Sequence, residues 1–311
     1  MLDRAIMERG WNSIVVAAEG STAVGRVLAA LPPAPIQASL LESRIAGIRD
    51  CILEASRGAD VINFHGLGCD RYLPEEKARV VISLHAPIAY YPKQIFEMAN
   101  LRFIAVSRHQ ALGLPKLSNL RMIENGIDLE RYRPRLGKRE YLVFIGRISP
   151  EKGVHIALRV AHALGLPLLI AGPVHPIRES QRYFRESVAP ALDEKRRYIG
   201  PIGTEEKVRL LATARCVLMP SLCQETSSLV AMEAISCGVP VVAFGSGALP
   251  EVVRHGVTGF VVGSEKAMAN AVKFAPRISP FDCRACAELR FDGRRMAREY
   301  LTCYEQLVLE G

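Results

Sequence analysis

The feature that most constrains this chain is its rhythm. Short apolar runs rich in β-branched residues alternate with longer helical patterns through nearly all of its 311 residues. Runs at 13–18, 59–64, 79–84 and 102–106 form a first block, and runs at 141–146, 167–172, 216–219, 240–244 and 259–262 form a second. They lack the polar alternation of a strand wetted on one face, as buried parallel strands should. Helical patterns lie between them, near 42–57 and 90–100, then near 153–164, 177–193, 204–214, 228–237 and 264–274, with a last one at 292–309. Strand–helix alternation in two blocks predicts an α/β chain with two doubly wound parallel sheets. The length agrees, since it suits two domains. Asn125-Gly126 is a turn signal, and 131–140 is polar with Pro134 and Gly137 as breakers. The predicted organisation is therefore a first domain over 1–136, a second over 137–275, and C-terminal helices over 276–311 that can cross back to the first.

Composition narrows the partners. Forty Lys plus Arg against 32 Asp plus Glu give +8, but the excess is spread along both blocks. No basic arm of the nucleic-acid-binding kind occurs, so no nucleic acid is expected as a partner. A mildly basic face still suits peripheral contact with anionic lipid or with a phosphorylated substrate. The eight cysteines are scattered, and Cys283-x-x-Cys286 has no second pair at zinc spacing. Reduced thiols are expected. With no signal-peptide pattern at Met1 and no 18-residue apolar run, the expected location is cytoplasmic. One feature at the start is unusual. Residues 1–10 read as the end of an amphipathic helix, so the first block lacks the strand and tight loop that normally open a doubly wound domain.

Two segments carry chemistry. In 141–153, YLVFIGRISPEKG, a strand leads through a loop with Arg147 and Lys152 to a helix opening at Gly153. A helix N-terminus offers free N–H groups and the positive end of a dipole, and two cations beside it suit a pyrophosphate. The segment is neither a Walker A motif nor G-x-G-x-x-G, which disfavours a P-loop kinase or a simple NAD enzyme. In 220–252 a strand ends at Pro220, a polar loop carries Glu225, and a small-residue helix predicted to start near Ser227 carries Glu233. On one continuous helix the two carboxylates would stand ~12 Å apart. With Glu225 in the loop, one acid can reach a ligand while the other holds a different part of it. Taken alone, the same residues also suit an ordinary charged βα loop and an internally paired glutamate.

Together these segments resemble the retaining GT-B glycosyltransferases of group 1, which use nucleotide sugars. The marks are Gly146-Arg147 with Lys152-Gly153, and Glu225-x7-Glu233 followed by Cys237-Gly-x-Pro-Val-Val-Ala243. Leu249-Pro250-Glu251 and His255-Gly256-x-x-Gly259-Phe260 also look like that family. The resemblance is strong over about 60–311. It implies two Rossmann-like domains and transfer of a sugar from a nucleotide diphosphate to a hydroxyl with retention of configuration. The acceptor could be a saccharide, a lipid or a small molecule. Arg147 and Lys152 would clamp the diphosphate, with Glu225 on the transferred sugar and Glu233 on the ribose. Ser227, Ser228 and Leu229 would border the donor, and the backbone at Ile202 would frame the base. In the first domain, 80–87 (VVISLHAP) is similar to the family's strand-then-His element, which implies a catalytic contact for His85. His65-Gly66 resembles its acceptor-side His-x-Gly loop. No metal or other cofactor is implied, and no Asp-x-Asp occurs in the chain.

Three departures accompany the resemblance. Ser227-Ser228 stands where the family often has Phe-Gly, Glu124 stands where Pro often precedes Asn-Gly, and the first strand with its glycine-rich loop has no counterpart. The last motivates an alternative: a non-catalytic sugar-nucleotide-binding remnant or partner subunit. A nucleotide-sugar epimerase of the same architecture is disfavoured by the Glu-x7-Glu context.

Overall fold

The computed structural model describes residues 1–31, 41–74, 79–135, 137 and 139–310. The chain divides into two units, Met1–Glu124 with the segment from Gly293 onward, and Asn125–Asp292. The division at 124/125 precedes the polar stretch that the sequence suggests. Residues 276–292, expected among the separate C-terminal helices, stay within the second unit. Leu136, at the expected boundary, lies outside the described residues.

The first unit opens with helix α1 (Leu2–Glu8), then strands β1 (Ile14–Ala18) and β2 (Arg26–Leu31) and helix α2 (Leu41–Ser56). Next come β3 (Ile62–Phe64), β4 (Val80–Leu84), β5 (Leu101–Ala105), helix α3 (Arg108–Leu112) and β6 (Leu120–Met122). β3-β4-β5-β6 form one parallel sheet, while β1 and β2 pair in parallel as a sheet of their own. Alternate residues of β4 pack on opposite faces: Val80, Ile82 and Leu84 join one core, and Val81 joins another with Ile104. The second face is covered by the C-terminal helix Gly293–Leu309 through Tyr300, Leu301, Tyr304 and Leu307. Leu2, Ala5 and Ile6 of α1 pack against the same cluster.

The second unit holds β7 (Tyr141–Ile145), α4 (Val154–Leu164), β8 (Leu168–Ala171), α5 (Arg178–Tyr183), β9 (Arg196–Gly200), α6 (Thr204–Ala212) and β10 (Ala214–Met219). It continues with α7 (Leu229–Ser236), β11 (Val241–Phe244), α8 (Leu249–Val252), β12 (Gly259–Val262), α9 (Glu265–Phe274) and α10 (Pro280–Arg290). The sheet order is β12-β11-β10-β7-β8-β9, all parallel. Leu142, Phe144, Cys216 and Leu218 join one core layer, and Val143 and Val217 join the other. Both faces of each strand are therefore dry, which is why the sequence shows unbroken apolar runs.

One sequence expectation is corrected. The helix expected near 90–100 is instead two 3-10 turns, Ile88–Tyr90 and Lys93–Glu97. Pro87 and Pro92 precede them; each lacks an N–H, and each restricts the residue before it to extended backbone. Tyr132 is buried, and its carbonyl accepts from Ser236 Oγ at 2.6 Å and Arg284 Nη1 at 2.8 Å. The same guanidinium donates to Leu129 O at 2.9 Å. Charge-assisted hydrogen bonds of this kind contribute about 1.5–3 kcal/mol, and an orphaned carbonyl costs more than a replaced one. Arg284→Ala is expected to lower stability by about 2 kcal/mol, read as a shifted urea midpoint at unchanged slope.

Among the described residues no helix is long and apolar enough to cross a membrane, and all eight cysteines are free thiols.

Candidate functional site

In the second unit β7 and β10 are neighbours, but the chain leaves them in opposite directions, towards β8 from one and towards β11 from the other. That is a topological switch point, where open α/β sheets hold ligands beyond the carboxyl ends of the strands. A cavity of about 240 Å³ lies there, lined by Gly146, Arg147 and Lys152 after β7 and by Ser221, Glu225, Ser227, Ser228 and Leu229 after β10. Six residues singled out from sequence thus share one cavity.

The loop after β10 is held from both sides. Leu222 N donates to Glu151 O at 2.8 Å, Ser246 Oγ to Cys223 O at 2.6 Å, and Ala248 N to Glu225 O at 2.7 Å. Gly247 sits at φ +59°, and a Cβ there would lie 2.3 Å from both the backbone N and O of Glu225. Only glycine permits that approach. The sequence reading missed Gly247 and Ser246, though Gly-Ser-Gly at 245–247 is a legible turn signal.

Lys152 Nζ lies 2.6 Å from Glu225 Oε1, and Ser221 Oγ donates to the same oxygen at 2.5 Å. The cation and the acid, which the sequence suggests for different parts of a ligand, hold each other. Arg147 is exposed and stands 3.6 Å from Glu151. Burial works against the charged form of Glu151, but Ser149, its own backbone N–H, Arg147 and Lys152 outweigh it and hold the carboxyl below its ordinary value. The mouth therefore keeps its positive charges partly engaged by carboxylates that an anionic ligand could displace.

Helix α7 opens on the cavity. Ser228 is its N-cap, accepting from Ala231 N at 3.2 Å. Ser227 Oγ is buried and makes no hydrogen bond among the described residues, so it is poised for a polar partner. Both serines line the cavity, and Ser228 also caps the helix.

Glu233 does not line this cavity, and neither does Ile202. Glu233 is buried on α7, 2.6 Å from Lys207 Nζ of α6, and its Oε2 has no hydrogen bond of good geometry. Lys207 also stands 5.4 Å from the centre of the Tyr132 ring. Burial, and then the Glu233 carboxylate, push the Tyr132 phenol far up, so it stays protonated. Lys207 and Tyr132 went unread in the sequence. Lys207 is one more charge in a solvated helix pattern there, and Tyr132 lies in an otherwise polar stretch. Ile202 is partly buried against the core layer that contains α7.

In the first unit His65 directly follows β3 and His85 directly follows β4. His65 Nδ1 and His85 Nε2 are 3.0 Å apart, with the rings stacked at 5.3 Å. Both residues keep solvent access, yet surrounding protein desolvates the imidazoles. Burial and then the neighbouring His85 lower His65 to about 4, and burial lowers His85. Gly66 follows in the exposed loop after β3. Among the described residues no group of three or more His, Cys, Asp or Glu could hold a metal.

A doubly wound sheet with a cation-edged cavity at its switch point defines a class of α/β ligand-binding domains. Residues 139–275 match the family described as "Glycosyl transferases group 1". Among curated relatives, the D-inositol 3-phosphate glycosyltransferase of Saccharomonospora viridis is 32% identical over 219 residues, which are 61% of this chain and 50% of that protein. The glycogen synthase of Mycobacterium tuberculosis is 32% identical over 200 residues, 60% of this chain and 45% of that protein. The chain spans about half the length of these relatives. Among solved structures, sucrose-phosphate synthase from Thermosynechococcus elongatus has a TM-score of 0.82 at 20% identity, covering 100% of this chain and 92% of that one. Anabaena HepE, solved with UDP-glucose, has a TM-score of 0.73 at 18% identity, covering 90% and 86%. The fold is GT-B, with Rossmann-like parallel sheets in both units.

Proposed function

We propose that this chain is a glycosyltransferase that moves a sugar from a nucleoside diphosphate to an acceptor hydroxyl with retention of anomeric configuration. The observation that carries the reading is the switch-point cavity, where Arg147, Lys152, Glu225 and the opening turn of α7 converge. An anionic diphosphate there displaces Glu225 from Lys152 and takes its place. As the bond to the sugar breaks, negative charge grows on the leaving phosphate, and Arg147, Lys152 and the α7 dipole stabilise it. These groups supply the positive charge that a divalent ion would otherwise bring, so turnover is expected without added metal. Glu225, released from its ion pair, accepts from hydroxyls of the transferred sugar. Glu233 accepts from the ribose, and Lys207 holds it in place. Ile202 borders the base, His85 contacts the reacting sugar, and His65-Gly66 lies on the acceptor side. The presence of UDP-glucose in HepE supports a nucleotide-sugar donor.

The test is donor turnover. Purified protein is offered UDP-, GDP- and ADP-sugars, and release of the nucleoside diphosphate is followed with and without chelator. Tight binding with no turnover of any donor would instead point to a sugar-nucleotide-binding subunit. A second measurement addresses the ribose. Glu233→Gln keeps the shape but lacks the charge, and it is expected to weaken nucleoside diphosphate binding about 10-fold, the effect of losing one charge-assisted hydrogen bond. Calorimetry showing unchanged affinity would remove the ribose assignment.

A further inference from the structure

The C-terminal helix meets the first unit's sheet through two kinds of polar contact. Towards its middle, Tyr300 Oη donates to Ser83 Oγ at 3.0 Å, Ser83 Oγ to Asn63 Oδ1 at 3.0 Å, and Asn63 Nδ2 to Tyr304 Oη at 2.5 Å. Each of these side chains has a protein partner. Nearer the helix end the covered face turns cationic. Side chains alternate along a strand, so Arg102 shares the face of Ile104 and Arg121 the face of Ile123, and both isoleucines are buried in the cluster beneath the helix. The register pairs Ile104 with Arg121, which sets the two arginines diagonally across neighbouring strands. Here lies a cavity of about 290 Å³, walled among others by Arg102, Arg121, Asn119, Cys303, Gln306 and Glu310. Arg102 is the second residue of β5, so the cavity is away from the carboxyl ends of the strands, where His65 and His85 stand.

The charges of this cavity do not balance. Glu310 is the carboxylate of its wall, 3.4 Å from Arg102. Arg102 also donates to Ala99 O at 3.4 Å, and both contacts are long for hydrogen bonds. The Arg121 side chain makes no hydrogen bond or ion pair among the described residues. The helix end adds about half a negative charge, but Arg79 already donates there, to Val308 O at 3.5 Å. All three charged groups of the wall act on one point of the helix: burial raises the Cys303 thiol, Arg121 and Arg102 oppose that rise, and Glu310 adds to it.

We propose that this cavity binds a small phosphate monoester, whose phosphate takes the forks of Arg102 and Arg121 and whose hydroxylated part meets Ser118, Asn119 and Gln306. The site belongs to the first unit and does not rest on the transferase reading. A monoester carries about −1.5 to −2 charges at pH 7, so on displacing Glu310 it matches two guanidiniums. A carboxylate has two oxygens, which a single fork fills, whereas a phosphate monoester offers three and accepts from both arginines at once. The volume is at the low end for a small-molecule site, which suits a short polyol phosphate.

The test titrates glycerol 3-phosphate into the full chain by calorimetry, with glycerol and inorganic phosphate as controls. Binding is expected with a Kd of about 1 mM or below, with no binding of glycerol and weaker binding of inorganic phosphate. Arg121→Gln changes an exposed side chain and is expected to fold as wild type does while weakening the monoester about 10-fold, the effect of losing one charge-assisted hydrogen bond. Glu310→Gln removes the competing carboxylate and is expected to tighten binding about twofold to threefold, the scale of an exposed ion pair. Lys152→Met, which alters the donor cavity instead, is expected to bind glycerol 3-phosphate as wild type does. Flotation with phosphatidylcholine vesicles containing phosphatidic acid distinguishes the source of the ester: capture that Arg121→Gln abolishes assigns a lipid headgroup, and no capture assigns a free metabolite. The proposal is overturned if wild type binds neither probe, if Arg121→Gln binds as wild type does, if the loss follows Lys152→Met instead, or if inorganic phosphate binds as tightly as the ester. None of these readings depends on donor turnover, so the failure of one function leaves the other standing.

Discussion

Lys152→Met is expected to lower kcat/KM for the donor by about 10²–10³-fold, the scale seen when one preorganised donor to a developing oxyanion is removed. Methionine keeps the length and the packing of the stem but not the charge. The Lys152 side chain is 21% exposed and stands at the cavity wall, so water replaces its charge poorly. The variant also leaves Glu225, only 12% exposed, with Ser221 as its remaining close donor, and a carboxylate without its cation repels an incoming phosphate. Both effects act in the same direction. Glu225→Gln separates them, because it frees Lys152 from its ion pair. If Lys152 serves the diphosphate and Glu225 the sugar, Glu225→Gln should bind the bare nucleoside diphosphate at least as tightly as wild type while turnover falls. Equal losses of diphosphate affinity in both variants would mean that the pair is a structural tie across the two loops. Isothermal titration with the diphosphate, alongside single-turnover kinetics with the intact donor, reads the two quantities separately.

What the sequence makes legible follows from how many faces an element buries. Strands β4, β7, β8, β10 and β11 are covered on both sides, so their composition alone marks them. β9 reads Arg-Arg-Tyr-Ile-Gly and is one of the two edge strands of its sheet among the described residues. Its charges suit an edge and hide it from a search for apolar runs. β6, three residues at another edge, escapes for the same reason. The cavity was legible because its cations and acids sit at fixed offsets from strand ends, and strand ends are what the pattern locates best. The supports of the site were not. Tyr132 and Lys207 reach Glu233 from segments far away in sequence, and Asn63, Ser83, Tyr300 and Tyr304 meet only once the C-terminal helix lies on β3 and β4. A polar residue within an apolar run, such as Ser83 in Val-Val-Ile-Ser-Leu, is a signal that a buried partner must exist, but its spacing does not say which.

The second large effect is expected from the two ends of a single helix. Gly153 and Gly165 bound α4, at φ +70° and +64°, and an L-residue in that region costs about 1–2 kcal/mol. Around Gly165 there is open space, so Gly165→Ala should cost that conformational amount and nothing more. At Gly153 a Cβ would lie 2.2 Å from Pro220 O and 3.1 Å from Pro220 C. Those atoms are backbone, held in place by β10 on one side and by the Leu222–Glu151 hydrogen bond on the other, so they cannot swing aside as a flexible side chain would. Overpacking adds about 1–3 kcal/mol, which puts Gly153→Ala at about 2–5 kcal/mol in total. The displacement falls on the loop that carries Ser221 and Glu225, so whatever fraction folds should also bind nucleoside diphosphate poorly, whereas Gly165→Ala should bind it as wild type does. Urea melts of the pair measure the difference, and diphosphate titration of the folded fraction locates it. If the two variants melt alike and bind alike, close approach of α4 to the loop after β10 does not position the site, and Gly153 is only a helix cap.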